Sequence, residues 1–165
     1  MHSSSASGGY KRFSVSIEEL YREVILDHYR NPRNRGVIDH PDAHAEGNNP
    51  LCGDELTLDL RFDGDRVAEV AIRGQGCSIS QSSASMMSQA IEGKTTGEIL
   101  DLIASFKAMM DIETAPPAGL DPDRPGAILG DLEALQGVRK FPVRIKCAYL
   151  AWTTLAEALR DRDDR

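Results

Sequence analysis

The chain lacks the features that would place it in several large functional classes. No window approaches the roughly 18 uninterrupted apolar residues of a membrane span. The opening MHSSSASGGY has no apolar central run of the secretory-signal kind. Basic residues are in deficit, with 19 Lys and Arg against 26 Asp and Glu and a formal charge of −7. A nucleic-acid binder needs a basic face for phosphates, so that class is disfavoured. Cysteine is scarce and odd in number, at three. A secreted disulfide scaffold prefers a larger, even count. There is no C-x-x-C pair, no Cys/His run and no internal repeat. What is present is an ordinary globular mixture, 41% hydrophobic and 27% charged over 165 residues. That is one domain, long enough to bury a core without staples. Three thiols suit a reducing cytoplasm, which is the expected location, and a metal site or reactive chemistry within it.

Helical and extended periods alternate along the chain. Residues 1–15 hold a Ser/Gly-rich stretch and read as a flexible tail, residues 16–160 as a single domain and residues 161–165 as a frayed end. Ser16 and Glu19 have capping-box spacing, and Ile17, Leu20, Tyr21, Val24 and His28 recur at helical spacing until Asn31-Pro32. Residues 31–51 read as a long loop. Leu56, Leu58, Leu60 and Phe62 alternate with polar residues, Asp63-Gly64-Asp65 turns the chain, and Ala68, Val70 and Ile72 return. A three-residue turn sets Leu56 opposite Ile72, Leu58 opposite Val70, Asp54 opposite Gly74 and Cys52 opposite Gly76. Cys77-Ser78-Ile79 is the expected third strand. A helix follows from the N-cap Ser80 to Ile91. Another begins at the Thr95/Glu98 capping box and buries Ile99, Leu100, Leu102, Ile103, Phe106 and Met110. Four prolines within residues 111–130 exclude a single regular element there. A short helix over 131–136 precedes a final helix opened by Pro142, whose core stripe is Ala148, Ala151, Trp152, Leu155 and Leu159.

The chemistry gathers at the open end of the hairpin. Cys52-Gly53-Asp54 enters it and Gly74-Gln75-Gly76-Cys77 leaves it, so pairing brings Cys52, Asp54 and Cys77 together. The helix start beside Cys77 favours thiolate over thiol. In the last helix Arg144 and Cys147 share a face at i, i+3. Three thiolates and one carboxylate make a tetrahedral set of the kind zinc takes. Around a dication they leave surplus negative charge, which Arg144 and Lys146 offset. Ser78, Ser80, Ser82 and Ser83 read as capping and packing residues, and His28, His40 and His44 as surface or capping residues, not ligands.

Four stretches carry a family resemblance: LYREVILDHYRNPRNRG (20–36), NPLCGDELTLDL (49–60), GQGCSISQSSASMMSQAIEGK (74–94) and FPVRIKCAYLAW (141–152). In this order they resemble the SufU group of the NifU/IscU-type iron–sulfur assembly proteins. The resemblance implies an α+β fold, with a small, mostly antiparallel three-stranded sheet packed against about five helices. It also implies that Cys52, Cys77 and Cys147 are the family cysteines and Asp54 the family aspartate.

IscU-like scaffolds carry a histidine just before the third cysteine, where Lys146 stands here. They carry Leu-Pro-Pro-Val-Lys before it, where this chain has Phe141-Pro142-Val143-Arg144. Together with the Pro-rich stretch, these departures favour the role that the SufU resemblance implies. That role is a zinc-bound sulfur acceptor for a SufS-type cysteine desulfurase, feeding downstream iron–sulfur assembly proteins. Cys52, in a loop, is the expected persulfide acceptor and Arg144 the expected desulfurase contact. The alternative is a non-enzymatic scaffold, with an iron–sulfur cluster on the same four ligands. Neither nucleic acid nor membrane is an expected partner.

Overall fold

A computed structural model describes residues 16–111, 120–121 and 123–164. The expected tail over residues 1–15, residue 165 and much of the Pro-rich stretch lie outside the described residues. The elements run α1 (Ile17–Arg30), β1 (Ala43–Asn49), β2 (Asp54–Asp63), β3 (Arg66–Gln75), α2 (Ser78–Ile91), α3 (Thr96–Met110), a 3-10 segment (Gly130–Lys140) and α4 (Pro142–Asp164). The strands form one antiparallel sheet in the order β1-β2-β3. This is the expected α+β architecture. Among the described residues no helix is long and apolar enough to cross a membrane.

The third strand is not the expected one. Ser78 and Ile79 belong to α2, and the sheet is completed by β1, inside the stretch read as a loop. The sequence of β1, AHAEGNN, has no β-branched residue and little apolar bulk, so the usual strand signal is missing. It holds its place because α4 packs on it. A Cβ at Gly47 would collide with the Thr154 hydroxyl, so only a glycine lets the helix come that close.

The hairpin register also differs. Leu58 pairs with Ile72, Leu60 with Val70 and Leu56 with Gly74, two residues along from the expected pairing. The ladder closes at Asp63–Arg66 around a two-residue turn, with Gly64 at φ 62°. A two-residue turn alone would put the leucines opposite the wrong face of β3. The shift between Arg61 and Phe62 leaves Ala68 as one extra residue and restores the parity.

Capping carries the helices much as their sequences imply. Ser16 Oγ accepts from the Glu19 N–H, and Thr95 and Glu98 form the full reciprocal box. Leu100 is a correction, since it is 55% exposed while Ile99, Ile103, Phe106, Met109 and Met110 are buried. The α4 stripe is buried throughout, and Trp152 stacks on Phe106 at 4.4 Å between ring centroids. The indole N–H donates to Ser83 Oγ, which donates to the Ala148 carbonyl, so that serine packs and bonds as expected. His28 is a second correction. It is fully buried, with Nδ1 2.8 Å from Ser85 Oγ and Nε2 2.8 Å from Asp131 Oδ2, and it ties α1 to α2 and the 3-10 segment. At the far end α4 is continuous through Asp164, beyond the expected domain limit at 160. Arg162 lies 3.7 Å over the Phe62 ring, and Asp161 accepts from the His44 N–H.

Candidate metal centre

Three pieces of backbone converge at the open end of the sheet. The first is the turn joining β1 to β2. Asn49 ends β1, and its carbonyl accepts from the N–H groups of Cys52 and Gly53. Gly53 takes φ 70°, which suits glycine and lets the chain reverse at once into β2. Cys52 therefore rides on a tight turn and is half-buried. Asp54 follows as the first residue of β2 and is fully buried.

The second piece is the passage from β3 into α2. The observed register carries Asp54 to Gly76 instead of Gly74, and the backbones meet closely there. A Cβ on Gly76 would lie 3.0 Å from the Asp54 Cα and would overlap its carboxylate and the Ser80 hydroxyl. Cys77 is the N-cap of α2, so the helix starts before Ser80. Its backbone N–H donates to Asp54 Oδ1 at 2.9 Å, and its side chain makes no capping bond, so the thiol is turned to Arg144 and Cys147 instead. The third piece is α4, whose second turn presents the fully buried Cys147.

The sulfur of Cys147 lies 3.5 Å from that of Cys52, and the Asn49 side-chain amide approaches it at 4.0 Å. One ligand atom each of Cys52, Asp54 and Cys147 falls within 4.8 Å of the others. The structure thus gathers three of the four expected ligands. The Cys77 sulfur stands outside that closest group, although its backbone anchors Asp54. It remains near enough to act on the charges of Arg144 and Cys147.

The electrostatics are those of a site short of positive charge. Burial pushes the Cys147 thiol well above its ordinary range, and its neighbours Cys52, Asp54 and Cys77 push it further. Arg144, exposed at the rim, has its own pKa raised by Cys77 and then by Cys147, so its guanidinium faces these sulfurs. Asp54 Oδ2 is buried and has no hydrogen-bond partner among the described residues. A buried carboxylate oxygen without a partner is costly unless a cation completes it. Soft thiolates, one hard oxygen and that open position fit a zinc ion.

Around Cys52 lies a shallow pocket of about 250 Å³, lined by Asn49, Leu51, Cys52, Pro142, Val143 and Lys146. Leu51, Phe141 and Val143 are strongly exposed around it. Asn49 was not among the expected site residues. Its Oδ1 accepts from the Leu51 N–H while its Nδ2 faces Cys147, so it shapes the turn that carries Cys52. The signal for it is the Asn48-Asn49-Pro50 run, separated from the cysteine only by Leu51.

The sequence matches the NifU-like N-terminal domain family over residues 20–148. The zinc-dependent sulfurtransferase SufU of Bacillus subtilis strain 168 is 46% identical over 147 residues, covering 89% of this chain and 94% of that one. The iron–sulfur cluster assembly scaffold protein IscU of Streptococcus pyogenes serotype M1 is 40% identical over 144 residues, covering 87% and 85%. A solved structure from Fervidobacterium islandicum AW-1, described as an iron–sulfur cluster assembly scaffold for the SUF system, superposes with a TM-score of 0.73. It is 36% identical and covers 83% of this chain and 94% of that one.

Proposed function

Because the chain belongs to the family of NifU-like N-terminal domains, we propose that it is a zinc-dependent sulfur carrier for iron–sulfur cluster assembly. In this reading Cys52 takes sulfur from a SufS-type cysteine desulfurase and passes it to downstream assembly proteins. Cys52, Asp54, Cys77 and Cys147 hold the metal. The observation that carries the reading is the unpartnered Oδ2 of Asp54, buried beside Cys52 and Cys147. Zinc, when bound, keeps the thiols deprotonated and shields them from oxidation. A cytoplasmic location belongs to the same reading, since all three cysteines are free.

The chain's own residues divide the work. The Cys77 N–H fixes the Asp54 carboxylate, and Gly76 allows that approach. Arg144 sets positive charge against the sulfurs. Cys52 on its turn and Cys77 at the head of α2 are both half-buried and within an incoming protein's reach, whereas Cys147 is enclosed; of the two, Cys52 borders the open pocket. The Cys52 thiolate attacks the outer sulfur of the desulfurase persulfide. That S–S bond breaks, the desulfurase cysteine leaves as thiolate, and Cys52 becomes the persulfide. The exposed Leu51, Phe141 and Val143, flanked by Arg144 and Lys146, form the collar on which the desulfurase docks.

The test is sulfur mapping on freshly purified protein of known metal content. Colourless protein with one zinc, carrying persulfide on the Cys52 peptide after incubation with a desulfurase and cysteine, supports the reading. Persulfide on Cys147 overturns the division of roles. Brown protein with iron and sulfide favours the cluster-scaffold reading, which the soft donor set and the streptococcal relative's name support. Arg144→Lys keeps the charge but not the planar fork, and Arg144→Ala loses both. Desulfurase stimulation should fall in that order, the alanine losing more than the lysine. Zinc content should be unchanged in both.

A further inference from the structure

The two sulfurs that approach each other most closely sit in opposite settings. Cys52 is half-buried on a turn, beside a pocket open to solvent. Cys147 is fully buried in α4 and packed behind it, 3.5 Å away sulfur to sulfur. A partner protein can reach the first but not the second. Any group placed on the Cys52 sulfur is already at attack distance from Cys147. The closing motion can come from the Cys52 side, because that turn is followed by Gly53 at φ 70° with no atom within 4 Å of its Cβ position. Cys77 is placed differently, since its sulfur stands outside the close group.

Resting on the reading of Cys52 as the sulfur acceptor, we infer that Cys147 is a resolving thiol that discharges the Cys52 persulfide as sulfide. The Cys147 sulfur attacks the inner sulfur of the persulfide, which is the original Cys52 sulfur, and its thiol proton passes to the departing outer sulfur. The bond between the two persulfide sulfurs breaks, and the outer sulfur leaves with the bond's electron pair as hydrosulfide. A Cys52–Cys147 disulfide remains. No external oxidant takes part, because the persulfide sulfur is itself reduced as the two cysteines are oxidised. A dithiol reductant then restores both thiols and leaves as its own disulfide. The protein would thus release inorganic sulfide, in addition to handing persulfide sulfur to another protein.

The experiment loads the zinc protein anaerobically with a SufS-type desulfurase and cysteine, removes both the desulfurase and the remaining cysteine, and follows sulfide release without any small thiol. Samples are alkylated and digested without reduction, so that persulfide and cross-linked peptides are mapped together. In the wild type, persulfide on Cys52 should decay as sulfide appears, with one Cys52–Cys147 cross-linked peptide formed per sulfide. Cys147→Ser should hold its persulfide, with release slowed by roughly 100-fold or more because only intermolecular routes remain. Wild-type protein loaded first and then stripped of zinc with a chelator should still release sulfide and form the cross-link. That control separates metal loss from loss of the resolving thiol. Wild-type persulfide that stays on Cys52, or a cross-link to Cys77, overturns the inference and leaves the acceptor reading standing. Absence of persulfide from Cys52 in the Cys147→Ser variant overturns both.

Discussion

Asp54 and Asp59 lie on the same strand, point to its opposite faces, and are both buried, yet their surroundings differ in kind. Asp59 is closed. Its Oδ1 lies 2.7 Å from His44 Nδ1, and its Oδ2 accepts from Arg73 at 2.8 Å and from the Ile38 N–H at 3.3 Å. Burial pushes its pKa up, but the bonds from Arg73, His44 and Ile38 outweigh that and hold it below the ordinary carboxylate value. Asp54 is open. One oxygen takes a single N–H from Cys77, the other takes nothing, and the guanidinium at the rim is turned to the sulfurs. One strand therefore carries a carboxylate that staples the fold and another that is left incomplete. An unpaired buried polar group costs about 1–3 kcal/mol, which is tolerable where a ligand is to complete it.

Substituting the two aspartates in turn gives the largest expected effect. Asp54→Asn keeps an acceptor for the Cys77 N–H but removes the charge. Zinc affinity should fall by about 100-fold or more, since even residues behind the ligands cost 10–100-fold. Asp59→Asn should keep full zinc by elemental analysis. Equal metal loss from both variants would erase the distinction between the two sites.

Stability of the metal-free protein should reverse the order. Asp59→Ala leaves Arg73 and His44 without their shared carboxylate. Both are about one-third exposed and can rehydrate, so the loss should be about 2 kcal/mol, below that of a fully buried pair. Asp54→Ala in the same state loses the one Cys77 N–H bond but also removes a buried unsatisfied oxygen, so it should cost less than Asp59→Ala. Urea unfolding after chelation measures both. A larger loss at Asp54 would mean that its open oxygen has a protein partner after all.

The smallest effect is a dependence on pH. Hydrogen bonding to Asp59, with a lesser share from Glu46, raises His44 above its ordinary value of 6.5, against the opposing pull of burial. Its stabilisation is complete below 6.5 and is lost as pH rises through the raised value. Asp59 is depressed, so its share is present above its ordinary 3.8 and is lost as pH falls through the lowered value. The difference in urea midpoint between wild type and His44→Gln should therefore be greatest between these limits and shrink on the alkaline side. A difference that grows above pH 6.5 would refute the assignment.

The elements that could be read from the sequence are those whose signals are local. Leucine alternation in β2, the caps at Ser16 and Thr95, Pro142 at the head of α4 and the stripe ending at Leu159 each lie within one element. The parts that could not be read depend on a distant partner. Strand β1 exists because Gly47 admits Thr154, and His28 is buried because Ser85 and Asp131 meet it from two other elements. The hairpin register turned on one bulged residue, which no alternation pattern marks. In the site, residue chemistry at the open hairpin end was enough to nominate Cys52, Asp54, Cys77 and Cys147, but not to show that Asp59 on the same strand is closed by Arg73, His44 and Ile38.

Donor types and strand faces are properties of the residues themselves, and the sequence alone determined both. Three thiols and a carboxylate are a donor set that suits zinc or iron whatever surrounds them, and a period of two keeps Leu56, Leu58 and Leu60 on one face even when the register slides by two. Only the tertiary structure decided which carboxylate stays unpaired, that Cys77 caps α2, and that Cys147 comes to rest 3.5 Å from a cysteine 95 residues away in the chain. These are outcomes of packing. They depend on where α4 lies against the sheet, and that position is set by the summed fit of many side chains, to which no single residue in the sequence carries the answer.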